Sequence, residues 1–547
     1  MRPRERSETS VIAASQGTSL LSTPLHLDNI RHEGLTVGGW PNCAHHLPRT
    51  MGESNMATVS GDLIRLYTSS DAVALAGHVR RKDISAAEAI EAAIVVIERL
   101  NPQLNAVIHK LYDMARAQAP NVPLEAPFAG VPFLLKELAS MWQGAPLTNS
   151  CAWLKDARAP EDSEATRRTK AAGFVLVGKS NAPENGWAIT SEPKLYGATH
   201  NPWRADVTPG GSSGGAAAAV AAGLVPLAEA SDGAGSIRVP ASCCGVVGLK
   251  PSRGRITIAP FGDYWYGGAY FFCVTRTVRD TATYLDVMAG ALPGDPYTPP
   301  APSESWAVLA TRAPKRLRIG FTVTPPDGSP IDPEAVAAVR NAASLLERLG
   351  YSVEEKNMAL DAASAWKTYT AMTPAESAAG FDFLTPLAGR PVTRADVEPV
   401  TWAIIERGRA QTAVEHVNLM NALRGLSREI TADLMPYDVY LTPVLTQKPR
   451  PLGYWDMSEP DLDRYNAKWT DAVFMFPFNI APLPAIALPL HWSADGVPMG
   501  VQAVGRYGDE ARLLALAAVL EEEAKWADRH PPVSAWASRP SIESNCR

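Results

Sequence analysis

The chain is poor in cysteine, and its cysteines are not arranged to bind a metal ion. Among 547 residues there are six, and two of them, Cys243 and Cys244, are adjacent. Adjacent cysteines suit neither an ordinary disulfide nor a zinc site. The full set is Cys43, Cys151, Cys243, Cys244, Cys273 and Cys546. We therefore expect small buried apolar residues in a reducing compartment, with no metal and no cofactor.

The chain also has no large excess of charge and no long apolar segment. Its formal net charge is -6, so no basic surface for nucleic acid or an anionic membrane is expected. No apolar run reaches the roughly 18 residues of a membrane span. The longest candidate, 214–230, is rich in alanine and glycine and predicts a buried helix. These features predict a cytoplasmic protein with neither a nucleic-acid nor a membrane partner.

Residues 1–57 differ in composition from the rest of the chain. They mix arginine, serine, threonine, proline and histidine without periodicity, and they have no apolar stretch typical of a secretory signal. We expect either a disordered segment or an extension translated from a start upstream of a natural one at Met51 or Met56.

The remaining composition, 46% apolar and 20% charged, is that of a globular enzyme. Short apolar segments at 131–135 and 174–177 predict strands, whereas Ser85 and Glu88 form a capping box for a helix that we expect to stop at Asn101-Pro102. Segment 360–435 is predicted to be mostly helical and to shape a pocket. The fold class predicted is α/β, as a single large α/β/α domain with a mixed, twisted central sheet covered by helices.

The most informative segment is 210–236, in which glycine pairs bracket Ser212 and Ser213, and Ser236 follows a run of small residues. Glycine removes the Cβ atom where the backbone turns tightly or approaches a ligand. The small residues before Ser236 leave backbone N–H groups free to point at one oxygen. A hydroxyl beside such donors is what acyl transfer requires.

A serine nucleophile needs a base, and no histidine lies in any recognised motif. Lys136 ends the apolar segment GVPFLLK and is the natural candidate. Lowering its pKa to 7–8 corresponds to roughly 4 kcal/mol, which burial can supply if no carboxylate is close. Glu137 is expected on the opposite face of the strand. A solvated lysine at a strand end is the alternative.

Two further motif matches are rejected on local structure. Residues 173–180 fit the phosphate-loop pattern GxxxxGK[ST], but their bulky apolar positions belong inside a strand. Residues 191–194 fit SxxK, but Pro193 opposes the helical turn that this motif needs.

Several segments together resemble the amidase signature family from about residue 69 to about residue 532. They are GVPFLLKELAS, GKSNAPENGWAITSEPKLYGATHNPWR, the block at 210–236, SIRVPASCCGVVGLKPSRGRI, PFNIAPLPAIALPL and VPMGVQAVGRYGDEARLLALAAVLE. The resemblance is closest to the branch containing 6-aminohexanoate cyclic dimer hydrolases. It implies that residues 58–540 form an amidase signature catalytic domain.

The resemblance implies Ser236 as nucleophile, Ser212 in a cis peptide bond with Gly211, and Lys136 as base. The proton would pass from Ser236 through Ser212 to Lys136, and water would then hydrolyse the acyl-enzyme. The backbone N–H groups of the oxyanion hole, and three residues expected to support the site, complete the set. The oxyanion hole comprises Gly233, Ala234, Gly235 and Ser236; Ser213 would support the relay by hydrogen bonding, and Asp232 and Arg238 would form an ion pair that fixes the loop.

Aromatic residues cluster in the motifs and are candidates for the substrate pocket. They are Trp187, Tyr264, Trp265, Tyr266, Phe474 and Phe476. Such walls favour small, uncharged, hydrophobic amides, whether linear, aryl or cyclic, with carbamates a further candidate. The alternatives are the glutamine-hydrolysing A subunit of a tRNA amidotransferase, which usually has glutamine where this chain has Val239, and a non-catalytic scaffold. A homodimer is a candidate assembly.

Overall fold

A mixed sheet of eleven strands runs through the computed structural model, which describes residues 59–138 and 140–537. The predictions for residues 1–57, Cys43 and Cys546 lie outside these ranges. The strand order is β1-β3-β2-β4-β6-β5-β10-β11-β9-β7-β8. The strands are β1 Val107–Lys110, β2 Pro132–Lys136, β3 Val175–Ser180, β4 Leu227–Asp232, β5 Val247–Lys250, β6 Tyr270–Thr275, β7 Arg318–Phe321, β8 Ser352–Glu355, β9 Val439–Pro443, β10 Ala485–Trp492 and β11 Pro498–Gly505.

Sixteen α-helices pack around this sheet within the described ranges. They are α1 Gly61–Ser69, α2 Ala72–Arg80, α3 Ala86–Leu104, α4 Tyr112–Gln118, α5 Glu164–Ala171, α6 Gly214–Ala221, α7 Arg238–Cys244, α8 Val278–Met288, α9 Trp306–Ala310, α10 Pro333–Arg348, α11 Ala362–Ala388, α12 Pro399–Ala410, α13 Ala413–Leu434, α14 Leu462–Ala467, α15 Pro477–Ile480 and α16 Glu510–Ala524. The predicted α/β/α class with a mixed sheet is confirmed.

The capping box predicted at Ser85 and Glu88 is present at the start of α3. The stop predicted at Asn101-Pro102 is wrong, because α3 continues to Leu104 with Pro102 inside its last turn. The Asn101 side chain binds the backbone of the segment that follows, accepting the N–H of Val107 at 2.8 Å. A proline so near the helix end disturbs few backbone hydrogen bonds, which is why the helix tolerates it.

The single buried helix predicted over 214–230 is also wrong. Helix α6 ends at Ala221, Gly223 adopts φ +75°, and Leu227 begins strand β4. A glycine with positive φ is the usual residue just beyond a helix C-terminus. The chain therefore turns back, so that α6 follows the Ser212 segment while β4 leads into the Ser236 loop.

Strand pairing then determines where the candidate catalytic residues meet. Strand β2 pairs in parallel with both β3 and β4, so these strands end at the same edge of the sheet. Lys136 is the last residue of β2, and Asp232 is the last residue of β4. The lysine therefore lies beside the loop that carries Ser236.

Neither of the two rejected motif matches has the local structure that its motif requires. Residues 175–180 of the phosphate-loop match are strand β3 and are fully buried. Lys179 forms a buried ion pair with Glu137, at 2.8 Å between Nζ and Oε2. The SxxK match at 191–194 lies outside any helix.

Candidate active site

Lys136 has no solvent-exposed surface, and its amino group contacts two hydroxyls. Nζ donates to Ser212 Oγ and to Ser231 Oγ, each at 2.8 Å. Burial lowers the pKa of Lys136 from 10.5 to about 7. A substantial fraction of this amine is therefore neutral near pH 7, as a base requires.

The expectation that no carboxylate lies close to Lys136 is wrong. Glu229 on β4 accepts the backbone N–H of Lys136 at 3.0 Å, and its charge raises the pKa of Lys136 against the larger effect of burial. Burial also raises the pKa of Glu229 to about 7. Glu137, in contrast, binds Lys179 and accepts the N–H of Thr148 at 2.7 Å.

Ser212 follows a cis peptide bond from Gly211, as the resemblance implies. Gly211 lies so close to Thr190 that a Cβ atom would be 2.2 Å from the Thr190 carbonyl oxygen. Only glycine fits there.

Ser213 does not contact the amine itself but hydrogen-bonds to the backbone of Ser231, whose hydroxyl the amine contacts. Its hydroxyl donates to Ser231 O at 3.3 Å and accepts the Ser231 N–H at 3.2 Å. Sequence reasoning missed Ser231 as a partner of Lys136. The available signal is the two-residue alternation of β4, which puts Glu229 and Ser231 on the same face of the strand.

The ion pair predicted between Asp232 and Arg238 is confirmed, and both side chains are buried. Two guanidinium nitrogens donate to the carboxylate, each at 2.9 Å. Asp232 Oδ1 also accepts the backbone N–H of Gly235 at 2.7 Å. The N–H of Gly235 is therefore occupied, and this corrects its place in the predicted oxyanion hole.

The other backbone N–H groups of the 233–236 loop, unlike that of Gly235, have no acceptor among the described residues. In the described part of the chain, no protein acceptor binds the backbone N–H groups of Gly233, Ala234 or Ser236. These three residues line a cavity together with Ser212 and Ser231. No hydrogen bond joins Ser236 to Ser212 among the described residues, although both residues line the same cavity.

The cavity has a volume of about 430 Å³, and many aromatic residues contribute to its walls. Of the predicted pocket residues, Trp187, Tyr264 and Trp265 line it. The Trp187 and Trp265 rings lie 5.1 Å apart, and those of Tyr264 and Trp265 lie 5.4 Å apart. These three rings form one side of the cavity.

The structure corrects the other three predicted pocket residues. Phe474 and Phe476 are core residues, and the Phe476 ring packs against Trp366 at 5.0 Å. Tyr266 is drawn away from the cavity because its ring faces the guanidinium groups of Arg253, at 4.6 Å, and Arg424, at 5.3 Å.

Helix α11 supplies a wall that no motif identified, although segment 360–435 was correctly predicted to be helical and to shape the pocket. Its lining residues include Trp366, Tyr369, Thr373 and Glu376. Their helical spacing is the only sequence signal, and it is equally typical of a helix packed in the core. Tyr465 and Trp469 complete this side.

Glu376 is the partly buried carboxylate of the α11 wall. It accepts the backbone N–H of Trp265, and burial raises its pKa to about 7.

Residues 59–138 and 140–537 contain neither a metal-binding cluster nor an exposed thiol. That part of the chain has no cluster of three or more histidine, cysteine, aspartate or glutamate side chains suited to a metal ion. Its four cysteines, Cys151, Cys243, Cys244 and Cys273, are unpaired and buried. Burial raises the pKa of each thiol. No helix in these ranges is both long and apolar enough to cross a membrane.

Comparison with known proteins gives consistent matches over most of the chain. The family model described as Amidase matches residues 88–514. The 6-aminohexanoate-cyclic-dimer hydrolase of Paenarthrobacter ureafaciens is 39% identical over 475 residues, covering 84% of this chain and 96% of that relative. The hydrolase of the same name from Pseudomonas sp. (strain NK87) is 40% identical over 475 residues, with coverage of 84% and 96%.

The fold comparison agrees. A solved structure of 6-aminohexanoate cyclic dimer hydrolase complexed with substrate matches with a TM-score of 0.82 at 38% identity, covering 86% of this chain and 99% of that chain.

Proposed function

Because this chain belongs to the amidase family and is a hydrolase of carbon–nitrogen bonds, we propose that it cleaves small, uncharged, hydrophobic amides through an acyl-enzyme on Ser236. The observation that carries the proposal is the buried contact of 2.8 Å between Lys136 Nζ and Ser212 Oγ at the wall of an aromatic cavity. The substrate amides can be linear, aryl or cyclic.

In the proposed relay, a proton moves toward Lys136 when Ser236 attacks and moves back when the intermediate collapses. When Ser236 Oγ attacks the amide carbonyl, its proton passes to Ser212, while the Ser212 proton passes to neutral Lys136. The carbonyl oxygen becomes an oxyanion and accepts N–H groups of the 233–236 loop. Collapse of this intermediate breaks the carbon–nitrogen bond, and the relay returns the proton to the leaving amine.

Water completes the reaction by the same path. It attacks the acyl-enzyme and gives a proton through Ser212 to Lys136, and collapse restores the Ser236 hydroxyl as the acid leaves. Neutral Lys136 is needed at the start of both half-reactions. The lowered pKa of Lys136 supports its assignment as the base, because an ammonium group cannot accept a proton.

The chemistry of the cavity supports the substrate class. Several tryptophan and tyrosine residues line the same cavity as Ser236, and aromatic walls favour apolar over charged groups. The names of the two relatives make the cyclic dimer of 6-aminohexanoate a specific candidate. Glutamine is a weaker candidate because its zwitterionic end would need charged partners, and because Val239 stands where the amidotransferase subunit usually has glutamine.

The proposal is tested with wild type, Ser236→Ala and Ser242→Ala. Wild type should hydrolyse at least one member of a panel of anilides, aliphatic amides, carbamates and cyclic amide dimers. Ser236→Ala should lose this hydrolysis and also lose labelling by a fluorophosphonate. Ser242 binds the Gly500 N–H at 2.7 Å and serves as a structural control that should keep both properties. Hydrolysis by Ser236→Ala at the wild-type rate would refute the nucleophile assignment.

A further inference from the structure

The hydroxyl of Tyr369, on helix α11, holds the loop that precedes Ser236. Tyr369 is 2% exposed, and its hydroxyl donates to the carbonyl oxygen of Gly233 at 2.5 Å. This contact joins residues 136 positions apart in the chain. It is the link between the pocket wall of α11 and the backbone beside the nucleophile.

Peptide geometry makes this contact relevant to the neighbouring N–H. The Gly233 carbonyl belongs to the same peptide unit as the Ala234 N–H, and in a trans peptide these two groups point in opposite directions. The cis bonds of the described chain are Gly211-Ser212 and Ala259-Pro260. A donor that holds the Gly233 carbonyl on one side therefore directs the Ala234 N–H to the other.

A second donor acts in the same way on the preceding peptide. Asn479 Nδ2 donates to the carbonyl oxygen of Asp232 at 3.2 Å, and that carbonyl shares its peptide unit with the Gly233 N–H. The N–H groups of Gly233 and Ala234 bind no protein acceptor in the described chain. Both residues line the cavity that also contains Ser236.

The surroundings leave the Tyr369 hydroxyl little freedom to move. A Cβ atom on Gly268 would lie 2.9 Å from this hydroxyl oxygen, so a glycine at this position allows the close approach. Asn479 Nδ2 also donates to the Gly268 carbonyl at 3.0 Å. The two donors and the three carbonyls that they bind thus form one hydrogen-bonded cluster beside the loop.

We propose that Tyr369 is a positioning residue for catalysis, which aims the Ala234 N–H at the oxyanion by holding the Gly233 carbonyl. This inference rests on the proposed acyl-enzyme function. The negative charge on the substrate oxygen appears only as Ser236 adds to the carbonyl. A fixed donor then stabilises the transition state more than the bound amide.

The test compares Tyr369→Phe with wild type and with Tyr67→Phe. Phenylalanine keeps the ring and removes only the hydroxyl. Tyr67 is a matched control, because its buried hydroxyl also donates to a backbone carbonyl, that of Leu224, at 2.7 Å, and it does not line the cavity. The readouts are kcat, KM, the thermal midpoint and the inhibition constant of a trifluoromethyl ketone analogue of the substrate.

In Tyr369→Phe we expect kcat to fall about tenfold while KM stays within about twofold. The inhibition constant of the ketone, which forms an oxyanion with Ser236, should rise by about the same factor as kcat falls. Tyr67→Phe should keep the wild-type kcat and inhibition constant. Gly268→Ala, whose methyl group would meet the Trp265 carbonyl oxygen at 2.7 Å and the Tyr369 hydroxyl at 2.9 Å, should also lower kcat.

Two results would overturn the inference. One is a wild-type kcat in Tyr369→Phe. The other is a rise in KM that accounts for the whole loss of kcat/KM, because the hydroxyl would then bind the substrate itself. An inactive wild type, or labelling that does not depend on Ser236, would instead refute the proposed function, so the two failures are distinguishable.

Discussion

Two opposing effects act on the amino group of Lys136. Burial favours the neutral amine, whereas the negative charges of Glu229 and Asp232 favour the ammonium form. Burial is the larger effect, and the pKa falls to about 7. The partial protonation of Glu229, whose own pKa rises to about 7, limits the opposing charge. The pKa of Lys136 is thus determined by the balance between its burial and the neighbouring carboxylates.

This balance predicts the pH dependence of hydrolysis. Because Lys136 must be neutral to accept a proton, kcat/KM should rise with pH and reach half its plateau near pH 7, the pKa of Lys136. Lys136→Ala should lose this rise and keep a small activity that increases at alkaline pH. The measurement is kcat/KM between pH 5 and pH 10.

Glu229→Gln is the control for assigning the rise of kcat/KM to Lys136, since the pKa of Glu229 is also about 7. Removing its negative charge should move the midpoint to lower pH, because that charge raises the pKa of Lys136. The rise itself should remain. A rise that survives in Lys136→Ala and disappears in Glu229→Gln would assign it to the carboxyl group instead.

At the scale of elements, the loop that contains Trp265 packs against the loop that precedes Ser236. The Trp265 indole lies directly on Gly233, where a Cβ atom would be 2.3 Å from the ring carbon Cζ3. Trp265 and Tyr266 both have positive φ, at 54° and 57°, which is uncommon for large side chains. The Glu376 carboxylate of α11 accepts the Trp265 N–H and holds this turn. The small residue at 233 is thus explained by a neighbouring loop.

This packing predicts that Gly233→Ala reduces kcat/KM by about tenfold or more, because the new methyl group must displace either the Trp265 indole or the 233–236 loop. Gly233→Ala should cause a smaller loss of kcat/KM in the Trp265→Ala background than in wild type, because the clash with the indole is gone. Steady-state kinetics of wild type, the two single variants and the double variant complete this double-mutant cycle. Strictly additive effects of the two substitutions would contradict the steric explanation.

At the scale of the whole molecule, Arg238 joins distant parts of the chain beneath the active site. Its guanidinium binds Asp232, Gln502 at 2.6 Å, Asn479 at 2.6 Å and the Met475 carbonyl at 3.1 Å. The group has no exposed surface. The buried guanidinium of Arg238 thereby connects strands β4 and β11 and helix α15.

Removing this charge should destabilise the protein strongly. Arg238→Met leaves Asp232 buried without its cation, and such a loss costs about 3–5 kcal/mol of unfolding free energy. Urea denaturation monitored by tryptophan fluorescence measures it. Arg312→Met removes an exposed pair with Glu304 and should leave the denaturation midpoint unchanged. Equal stability of Arg238→Met and wild type would contradict the structural role of the pair.

Local patterns in the chain were sufficient for much of this picture. The capping box at Ser85, the strand ending at Lys136, and the glycine-bracketed serines depend on neighbouring residues, so they can be recognised without coordinates. The same holds for the α/β class and for the Asp232–Arg238 pair, whose members are six positions apart.

Contacts between distant segments required the folded chain. Glu229 and Ser231 reach Lys136 across strands more than 90 positions apart, and Tyr369 reaches Gly233 from 136 positions away. The pocket walls likewise come from several distant segments, so Phe474, Phe476 and Tyr266 could not be told from lining residues by composition. Burial and proximity arise from packing. The candidate motif is therefore recognisable from neighbouring residues in the sequence, whereas the pKa of Lys136, the contacts of the 233–236 loop and the shape of the cavity follow from the assembled sheet and helices.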